Sequence, residues 1–540
     1  MTIPLPQPRN EPVRQYAPGS PERDLLAGAV SAELAAAPRE LPMWVGGRPH
    51  RGRGAEFQVR VPHDHARVAG VGRQATTADV SSAVESALAA AGEWATMPLE
   101  ARAAVLLRAA DLLAGPWRDR INAATIVGQS KNPFQAEIDA ACELIDFWRF
   151  NAWYAQRLED DQPISPPGAW NRMEMRPLEG FVLAITPFNF TSIAGNLPTA
   201  PALMGNTVVW KPSPTQQLSA QVIIEVLEAA GLPPGVINMV TGDGAAVSEV
   251  ALPHRRLAGV HFTGSTATFR HLWRTVADNL DTYVSWPRLV GETGGKDFVL
   301  AHPSADPEAL VTALLRGAFE FQGQKCSAAS RAYVPRSLWR RIAEPLATQV
   351  EAITVGDVSD LSTFMGAVID ERAFTRLASV LDAARADAHL RVVAGGEADS
   401  ATGWFIRPTV YETDEARHEL MQRELFGPVL TVHPYDDARW EETLELVDST
   451  SPYALTGAVF ATDRRAVEAA TSRLRFAAGN FYVNDKPTGA VVGQQPFGGG
   501  RASGTNDKAG SALNLLRWSS PRAVKETFVP PVDWRYPHQG

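Results

Sequence analysis

Cysteine is nearly absent from this sequence, whose 540 residues include only Cys142 and Cys326. Two thiols cannot build the disulfide scaffold of a small secreted protein, and they exclude a zinc site made of several cysteines. Such low cysteine content is typical of a reducing compartment. In that setting a cysteine can serve as a reactive thiol, so both positions are candidate nucleophiles.

An excess of basic charge is also missing. Lys and Arg number 51 against 60 Asp and Glu, which gives a formal net charge of −9 at pH 7. This balance, without basic runs, argues against binding to nucleic acid or to an anionic membrane. Hydrophobic residues make up 45% and charged residues 21%, which excludes wholesale disorder. The length allows about three domains of roughly 150 residues each.

Uninterrupted hydrophobic segments of membrane-spanning length are absent too. Residues 180–210 carry no charge, but prolines and asparagines, including Pro187, Pro198 and Asn189, interrupt them. Residues 1–15 are polar and proline-rich and lack the apolar segment of a signal peptide. We therefore expect a soluble cytoplasmic protein without a membrane span.

The hydrophobic pattern predicts a mainly helical start and then alternating strands and helices. Apolar residues recur at helical spacing in 75–92, 100–113 and 136–150. The proline-containing segment 158–179 predicts a hairpin that leaves the main body. Predicted strands follow at 181–185, 207–210, 236–240 and 259–262, and then at 298–300, 332–334, 429–432, 457–460 and 480–483. This order predicts an α/β protein with a doubly wound parallel sheet, whose ligands bind at the carboxyl ends of the strands.

Cys326 is the stronger nucleophile candidate. Small neighbours surround it in the sequence Lys325-Cys326-Ser327-Ala328, and a helix beginning here would lower the thiol pKa. A buried packing cysteine explains the same segment. Cys142 lies within a helical pattern and is predicted to be structural.

Glu292 and Asn189 are candidate partners of the thiol. Glu292 is preceded by Gly291 and followed closely by Gly294 and Gly295, which suits either a general base with a raised pKa or a solvated turn. Asn189 lies in the uncharged segment and is either a satisfied core amide or a donor to an oxyanion.

Phosphate and metal signals are weak when taken singly. Residues 242–247 nearly match a glycine-rich dinucleotide loop, and residues 262–266 follow a predicted strand. Lys211, at the end of another strand, suits a ribose or phosphate, or is an ordinary solvated lysine. His63 and His65 have no evident third ligand, so we expect no metal site.

Six motifs occur in an order that resembles the aldehyde dehydrogenase superfamily. They are Pro187-Phe188-Asn189, Trp210-Lys211-Pro212-Ser213, Phe262-Thr263-Gly264-Ser265, Glu292-Thr293-Gly294-Gly295-Lys296, Gly323-Gln324-Lys325-Cys326 and Glu424-Leu425-Phe426-Gly427-Pro428. The resemblance covers nearly all of the chain beyond about Leu41. One branch, the 1-pyrroline-5-carboxylate dehydrogenases, matches more closely, through residues 143–151 and the long signature at 488–508.

The resemblance implies a Rossmann-type NAD-binding domain, an α/β catalytic domain and a small β oligomerisation flap. The predicted segments are 1–157 (N-terminal helical part of the NAD-binding domain), 158–179 (oligomerisation hairpin), 180–290 (Rossmann-type core), 291–495 (catalytic domain), 496–518 (return to the NAD-binding domain) and 519–540 (oligomerisation tail).

The resemblance also implies NAD-dependent oxidation of L-glutamate γ-semialdehyde, the open form of 1-pyrroline-5-carboxylate, to L-glutamate in proline catabolism. Cys326 would attack the aldehyde, and Asn189 with the Cys326 N–H would hold the oxyanion. Hydride would pass to NAD, and Glu292 would activate the water that hydrolyses the thioester.

Binding residues are implied by the same motifs. NAD would contact Thr186, Phe188, Lys211, Gly264, Ser265, Thr266, Ala267, Thr268, Glu424 and Phe426. The substrate α-carboxylate would contact Ser327, Gly489 and Ala490, its aliphatic stem Phe190 and Phe497, and its ammonium group Glu143. No arginine lies in 487–500, so we expect neutral donors to hold the carboxylate.

Assembly is predicted from two apolar segments. Residues 160–179 and 521–532 resemble protruding strands with exposed side chains, including Met173, Met175 and Phe528, which indicates a homo-oligomer. Proline dehydrogenase is a candidate partner implied by the branch.

Some points stay open at this stage. Pro214 stands where many relatives carry an acidic residue, which leaves NAD against NADP unresolved; Trp148 and Thr186 replace a common phenylalanine and serine. Another semialdehyde dehydrogenase or a non-catalytic binding protein on the same fold would share most motifs. A thiol hydrolase is a third alternative, but no histidine lies near Cys326 in sequence.

Overall fold

A computed structural model describes residues 5–540, in which two large sheets are flanked by helices. The α-helices of this range are α1 (Pro21–Ala35), α2 (Thr77–Thr96), α3 (Leu99–Ala114), α4 (Arg118–Gln129), α5 (Pro133–Ala136), α6 (Leu144–Asp160), α7 (Thr191–Leu203), α8 (Gln217–Ala229), α9 (Ala245–Val250), α10 (Thr266–Asp278), α11 (Pro307–Phe319), α12 (Arg336–Glu351), α13 (Glu371–Arg385), α14 (Glu419–Gln422), α15 (Trp440–Thr450), α16 (Arg464–Arg473) and α17 (Ala512–Leu516). A π-helical segment covers Glu137–Glu143, and 3₁₀ turns cover Pro214–Gln216, Leu280–Thr282, Glu320–Gly323 and Pro537–Gln539.

The strands of the same range belong to two large sheets and several small ones. They are β1 (Arg39–Leu41), β2 (Met43–Val45), β3 (Arg48–His50), β4 (Glu56–Val61), β5 (Asp64–Arg73), β6 (Ala169–Arg176), β7 (Phe181–Ile185), β8 (Thr207–Lys211), β9 (Ile237–Met239), β10 (Leu257–Thr263), β11 (Arg288–Glu292), β12 (Asp297–Ala301), β13 (Ala329–Pro335), β14 (Leu390–Ala394), β15 (Ala398–Asp399), β16 (Phe405–Ile406), β17 (Thr409–Thr413), β18 (Val429–Tyr435), β19 (Tyr453–Ala454), β20 (Thr456–Phe460), β21 (Asn480–Val483), β22 (Gly500–Arg501) and β23 (Ser520–Thr527).

The first large sheet has the strand order β11-β10-β7-β8-β9-β2-β3. Strands β11, β10, β7, β8 and β9 are parallel, and β2 and β3 add an antiparallel edge. Helices cover both faces, so β8 and β10 are buried along their whole length and read as continuous apolar runs. The chain order reverses between β7 and β10, which places a ligand crevice at the carboxyl ends of these strands.

The second large sheet has the order β14-β17-β18-β13-β12-β20-β21. Its strand pairs are parallel, except that β14 pairs antiparallel with β17. All nine predicted strands are found in the two sheets, and the α/β prediction is confirmed.

The predicted hairpin over 158–179 is wrong. This segment contributes one strand, β6, which pairs antiparallel with the C-terminal strand β23, so that Ala169 lies opposite Thr527 and Arg176 opposite Ser520. Three prolines at 163, 166 and 167 remove backbone N–H groups, which prevents a second local strand. We call this pair of strands the β6–β23 ribbon.

The mainly helical start is only partly confirmed. Helices α2 and α3 lie where the periodicity placed them, but β1 to β5 were not predicted. Three of them form a separate sheet in the order β1-β5-β4, with glycines at Gly70 and Gly72 that weaken the strand pattern. Within residues 5–540, no helix is both long and apolar enough to cross a bilayer.

Candidate active site

Cys326 lies in the loop between the 3₁₀ turn Glu320–Gly323 and strand β13. No helix begins there, so the predicted lowering of the thiol pKa by a helix dipole is wrong. Burial instead raises the pKa of Cys326 well above its usual value, and the nearby carboxylates, that of Glu292 foremost, raise it further. A buried thiol of this kind must lose its proton before it can act as the predicted nucleophile.

The loop before Cys326 has a strained backbone. Phe321, Gln322 and Gly323 have φ angles of 51°, 55° and 63°. A left-handed conformation costs a residue other than glycine about 1–3 kcal/mol. Gln322 offsets part of this cost, since its Nε2 donates to the carbonyl oxygens of Ser130 at 2.9 Å and Ala367 at 2.7 Å. These bonds fix the loop that presents the nucleophile.

Glu292 ends strand β11, and its side chain lines the same cavity as Cys326. Its backbone oxygen accepts a hydrogen bond from the Gly264 N–H at 3.1 Å. Burial raises the pKa of the Glu292 carboxyl to about 8, and the positive charge of Lys508 partly opposes this shift. A carboxyl that loses its proton near neutral pH suits a general base.

Asn189 follows strand β7 and is buried. Its Nδ2 donates to the carbonyl oxygen of Gln324 at 3.0 Å, which joins the end of a first-sheet strand to the cysteine loop. An amide nitrogen has a second hydrogen for another acceptor. Its role as an oxyanion donor stays a prediction.

A cavity of about 420 Å³ lies beside Cys326. Every predicted substrate-binding residue lines it, namely Glu143, Phe190, Ser327, Gly489, Ala490 and Phe497. The Ser327 Oγ lies 2.7 Å from the Thr488 Oγ1, and Gly489 has a φ of 94°, which glycine adopts without strain. Residues from distant parts of the chain thus share one chamber with Cys326.

Lys486 is a cation of this cavity that the sequence reasoning missed. It lines the chamber, and a Cβ placed on Gly489 would lie 3.0 Å from the Lys486 Nζ. The expectation of neutral donors alone rested on the absence of arginine from 487–500. A lysine immediately before that window brings a positive charge to the same loop.

Glu143 ends the π-helical segment Glu137–Glu143. The Ser192 Oγ donates to the Glu143 Oε2 at 2.9 Å. Burial, together with the negative charge of Asp139, raises the pKa of Glu143 to about 8. Segments of π-helix are common at functional sites, because they turn additional side chains inward.

A buried ion pair supports this part of the cavity, and it too was missed. The Lys131 Nζ lies 2.5 Å from Asp139, between the rings of Phe190 and Phe321 at 4.6 and 4.4 Å from their centroids. Asp139 also accepts the N–H of Ser192 at 3.0 Å, at the start of α7. The pair therefore fixes Phe190, which lines the cavity, against the cysteine loop.

The predicted dinucleotide residues gather at the carboxyl end of the first sheet. Thr186 follows β7, Lys211 ends β8, and Ser265 caps α10 by accepting the Thr268 N–H at 3.1 Å. The segment from Gly264 through Thr266, Ala267 and Thr268 forms the first turn of that helix. A helix N-terminus at a switch point suits a pyrophosphate.

Lys211 fits a polar cofactor. Burial lowers the pKa of its amine to about 8. The negative charge of Asp243 partly opposes this shift, and a bound ribose or phosphate would give the buried amine a direct partner.

Glu424 and two aromatic side chains lie near the cysteine loop. The Glu424 Oε1 accepts the Gly295 N–H at 2.9 Å, and burial raises the pKa of Glu424 to about 7. The rings of Phe188 and Phe426 meet edge to face at 5.8 Å. Their contacts with NAD stay predictions.

The weaker candidates for a metal ligand and for a nucleophile, His63 and Cys142, contact other side chains of the fold. His63 lies 3.0 Å from the Ser130 Oγ and 3.2 Å from Asp357, and the part of the chain that the structure describes holds no cluster of three metal-ligating side chains. Cys142 is buried, with its sulfur 3.4 Å from Arg118. Burial raises the pKa of the Cys142 thiol far above its usual range, and the contact with Arg118 fits the structural role that the sequence predicts.

Two parallel sheets that meet at a buried thiol, a glutamate and an amide form the site of an aldehyde-oxidising enzyme. The chain belongs to the aldehyde dehydrogenase family, whose profile, "Aldehyde dehydrogenase family", matches residues 50–524. Among solved structures it is similar to the Delta-pyrroline-5-carboxylate dehydrogenase from Mycobacterium tuberculosis bound with NAD. That pair shares 59% identity and a TM-score of 0.97, over 100% of this chain and 99% of the other.

Two further relatives extend the comparison. The human Delta-1-pyrroline-5-carboxylate dehydrogenase, mitochondrial, is 50% identical over 98% of this chain and 93% of its own length. Proline utilization A (PutA) from Bdellovibrio bacteriovorus is 28% identical with a TM-score of 0.92, over 98% of this chain but only 55% of the other.

The expectation of a cytoplasmic location is contradicted by the same comparison. Curated relatives at 49% to 50% identity are named mitochondrial. The expectation rested on low cysteine content and on the absence of a secretory signal. Neither feature distinguishes one reducing compartment from another.

Proposed function

We propose that this enzyme oxidises L-glutamate γ-semialdehyde to L-glutamate, with NAD as the hydride acceptor. One observation carries the proposal: a single cavity holds Cys326 and Glu292 together with polar groups suited to both ends of an amino acid. The names of the relatives from Mycobacterium tuberculosis and human support the same substrate, and the bound NAD of the former supports the cofactor.

The reaction requires the Cys326 thiol to give up its proton to solvent, so that its sulfur can bond to the aldehyde carbon and leave the negative charge on the aldehyde oxygen. The Asn189 amide and the Cys326 N–H hold the resulting oxyanion. NAD, when bound, accepts the hydride that this carbon loses, and a thioester remains on the sulfur. Glu292 then takes a proton from water, whose oxygen attacks the thioester carbon. The C–S bond breaks, and the proton passes from Glu292 to the departing sulfur, which releases the carboxylic acid and restores the thiol.

Selectivity comes from the groups that face the substrate's amino-acid end. Glu143 receives the ammonium group, with the buried Asp139 close behind it. The α-carboxylate meets the Ser327 hydroxyl, the amides of Gly489 and Ala490, and the Lys486 ammonium. An aldehyde without these charges leaves the donors poorly paired, at about 1–3 kcal/mol for each buried group.

The test compares kcat/KM for glutamate γ-semialdehyde and for pentanal, followed through NADH formation. We expect a preference of tenfold or more for the semialdehyde, since about 1.4 kcal/mol corresponds to a factor of ten. Ser327→Ala and Lys486→Met should reduce the ratio of the two kcat/KM values. Lys486→Arg should keep most of this preference because the positive charge remains. If the unmodified enzyme gave equal kcat/KM values for pentanal and the semialdehyde, the proposed substrate would be wrong. Only a general aldehyde dehydrogenase activity would then be supported.

Assembly belongs to the same proposal. The β6–β23 ribbon and the residues directly after it carry exposed apolar side chains. Trp170, on β6, is 48% exposed and Phe528, after β23, is 61% exposed, and both suit contact with another copy of the chain. Proline dehydrogenase is the proposed partner. The PutA match covers 55% of that chain, so in that protein a similar unit is joined to a further portion.

A further inference from the structure

Residues 5–16 have no regular secondary structure and form a strap across helix α6 and the π-helical segment. Its hydrogen bonds to them, in chain order, join Leu5 to Gln156, Asn10 and Glu11 to Asp146, and Arg14 to Glu137. The strap thus runs antiparallel to the helix. The helix between Asp146 and Gln156 rises about 15 Å, and the strap from Leu5 to Asn10 spans about 17 Å when extended, so the lengths match.

The strap is held by buried charge rather than by loose surface contact. The Glu11 carboxylate pairs with Arg118 at 2.5 Å and with Arg149 at 2.7 Å. The side chains of Glu11 and Arg118 are only 11% and 3% exposed. Arg118 also donates to the Pro12 carbonyl oxygen at 2.7 Å. This anchoring fixes the neighbouring residues of the strap.

The strap reaches the substrate cavity. Asn10, Glu11 and Val13 line the same chamber as Cys326 and Gly489. The chamber is therefore closed on one side by a segment that carries none of the catalytic residues.

Asn10 joins this wall to the loop that faces the substrate carboxylate. Its Nδ2 donates to the Asp146 Oδ2 at 2.8 Å and to the Val492 carbonyl oxygen at 2.7 Å. Its Oδ1 accepts from the Gln494 Nε2 at 2.9 Å. Val492 also packs against Phe147, the neighbour of Asp146 on α6. One amide thus uses both hydrogens and its oxygen to hold residues 489–494, the anchor loop, against the helix.

We propose that Asn10 is a positioning residue for substrate selectivity, which acts by holding the anchor loop where the α-carboxylate of the substrate binds. The inference rests on the proposed function, because that function places the carboxylate at Gly489 and Ala490. Asn10 itself gives up no proton and carries no charge. Its effect is confined to substrate affinity, since the nucleophile and the base are held by other elements.

The first experiment compares Asn10→Ala with Gln7→Ala in the full-length chain. Gln7 is an exposed residue of the same strap that does not line the cavity. For Asn10→Ala we expect KM for glutamate γ-semialdehyde to rise about five- to tenfold, as for the loss of one or two hydrogen bonds. We expect kcat, KM for NAD and kcat/KM for pentanal to stay within about twofold, and Gln7→Ala to match the unmodified enzyme.

A second variant separates anchoring of the strap from positioning of the loop. Exchanging the two partners, as Asn10→Asp with Asp146→Asn, restores a hydrogen bond between strap and helix but leaves the Val492 carbonyl without its donor. We expect KM for the semialdehyde to remain high. A return to the unmodified KM would show that the strap needs only its attachment to α6, and it would overturn the proposal.

Hydrogen exchange of the backbone amides in 489–494 tests the same inference without a substrate. We expect faster exchange in Asn10→Ala and in the exchanged pair, and unchanged exchange in Gln7→Ala. If the unmodified enzyme fails to oxidise the semialdehyde, the proposed function falls while this measurement still decides the role of Asn10. Unchanged exchange in Asn10→Ala would overturn the inference in either case.

Discussion

Cys326 and Glu292 are coupled at the scale of single residues. The Glu292 carboxylate raises the pKa of the Cys326 thiol, and burial holds the Glu292 pKa at about 8. Glu292→Gln removes the negative charge near the thiol, so acylation persists, but it also removes the base that activates water. We expect a burst of NADH in stopped-flow absorbance. The steady rate of NADH formation that follows should be at least about 100-fold lower than that of the unmodified enzyme. In the unmodified enzyme the steady rate should rise with pH near 8, because Glu292 loses its proton there. Glu292→Gln has no carboxylate and should not show this rise.

Two variants control this experiment. Cys326→Ala should give no burst while still binding NAD, because it lacks the atom that forms the thioester. Cys142→Ala should behave as the unmodified enzyme, since Cys142 is predicted to be structural and its sulfur contacts Arg118. A Glu292→Gln enzyme with neither burst nor acyl-enzyme would assign Glu292 a structural role.

Local sequence identifies only part of this site. Cys326 and Glu292 stand out because small residues or glycines flank them, which marks irregular, approachable backbone. Asn189 gains meaning only from the order of the motifs. The roles of Asn10 and Lys131 cannot be predicted from the neighbouring sequence, because they depend on partners that only the fold brings near, such as the Val492 carbonyl oxygen.

At the scale of elements, burial decides which strands can be predicted. Parallel strands such as β8 and β10 are covered on both faces, so they appear as continuous apolar runs. Strand β5 is partly exposed and rich in glycine, and β6 pairs with a strand from the other end of the chain. Strand β5 was therefore missed, whereas the β6 segment was predicted to form strands but was given a neighbouring partner instead of the distant β23.

The β6–β23 ribbon carries its own prediction. Phe528 and Val529, directly after β23, are 61% and 78% exposed. If they contact a second copy, replacing both by serine should lower the mass in light scattering towards the 58.4 kDa monomer at micromolar concentration. Leu25→Ser, on α1 and 62% exposed, is the matched control and should leave the mass unchanged. An unmodified protein that is already monomeric would contradict the oligomer.

At the scale of the whole molecule, buried carboxyls set the pH dependence of stability. Burial raises the pKa values of Glu143, Glu292 and Asp297 to about 8. Between pH 5 and 7 the folded state therefore keeps protons that the unfolded state has lost. The free energy of unfolding falls as pH rises, by up to about 1.4 kcal/mol per pH unit for each group.

Calorimetric Tm measured from pH 5 to pH 7 tests this expectation. Tm should fall with rising pH, and Glu292→Gln should show a shallower fall because one such carboxyl is gone. Above pH 7 the curve should flatten, since burial lowers the pKa of Lys296 to about 7 and of Lys211 to about 8. A Tm that rises steadily between pH 5 and 7 would show that raised carboxyl pKa values do not determine the pH dependence of stability.

The bond between Asn10 and Val492 joins residues that are 482 positions apart. At about 5–20 residues per second, a ribosome needs roughly half a minute to a minute and a half to add that intervening chain. The strap can dock on α6 early in synthesis, but the chamber for the aldehyde closes only when the anchor loop emerges. A nascent or prematurely terminated chain therefore exposes a thiol without a substrate site, and it cannot capture a reactive semialdehyde selectively before the protein is nearly complete.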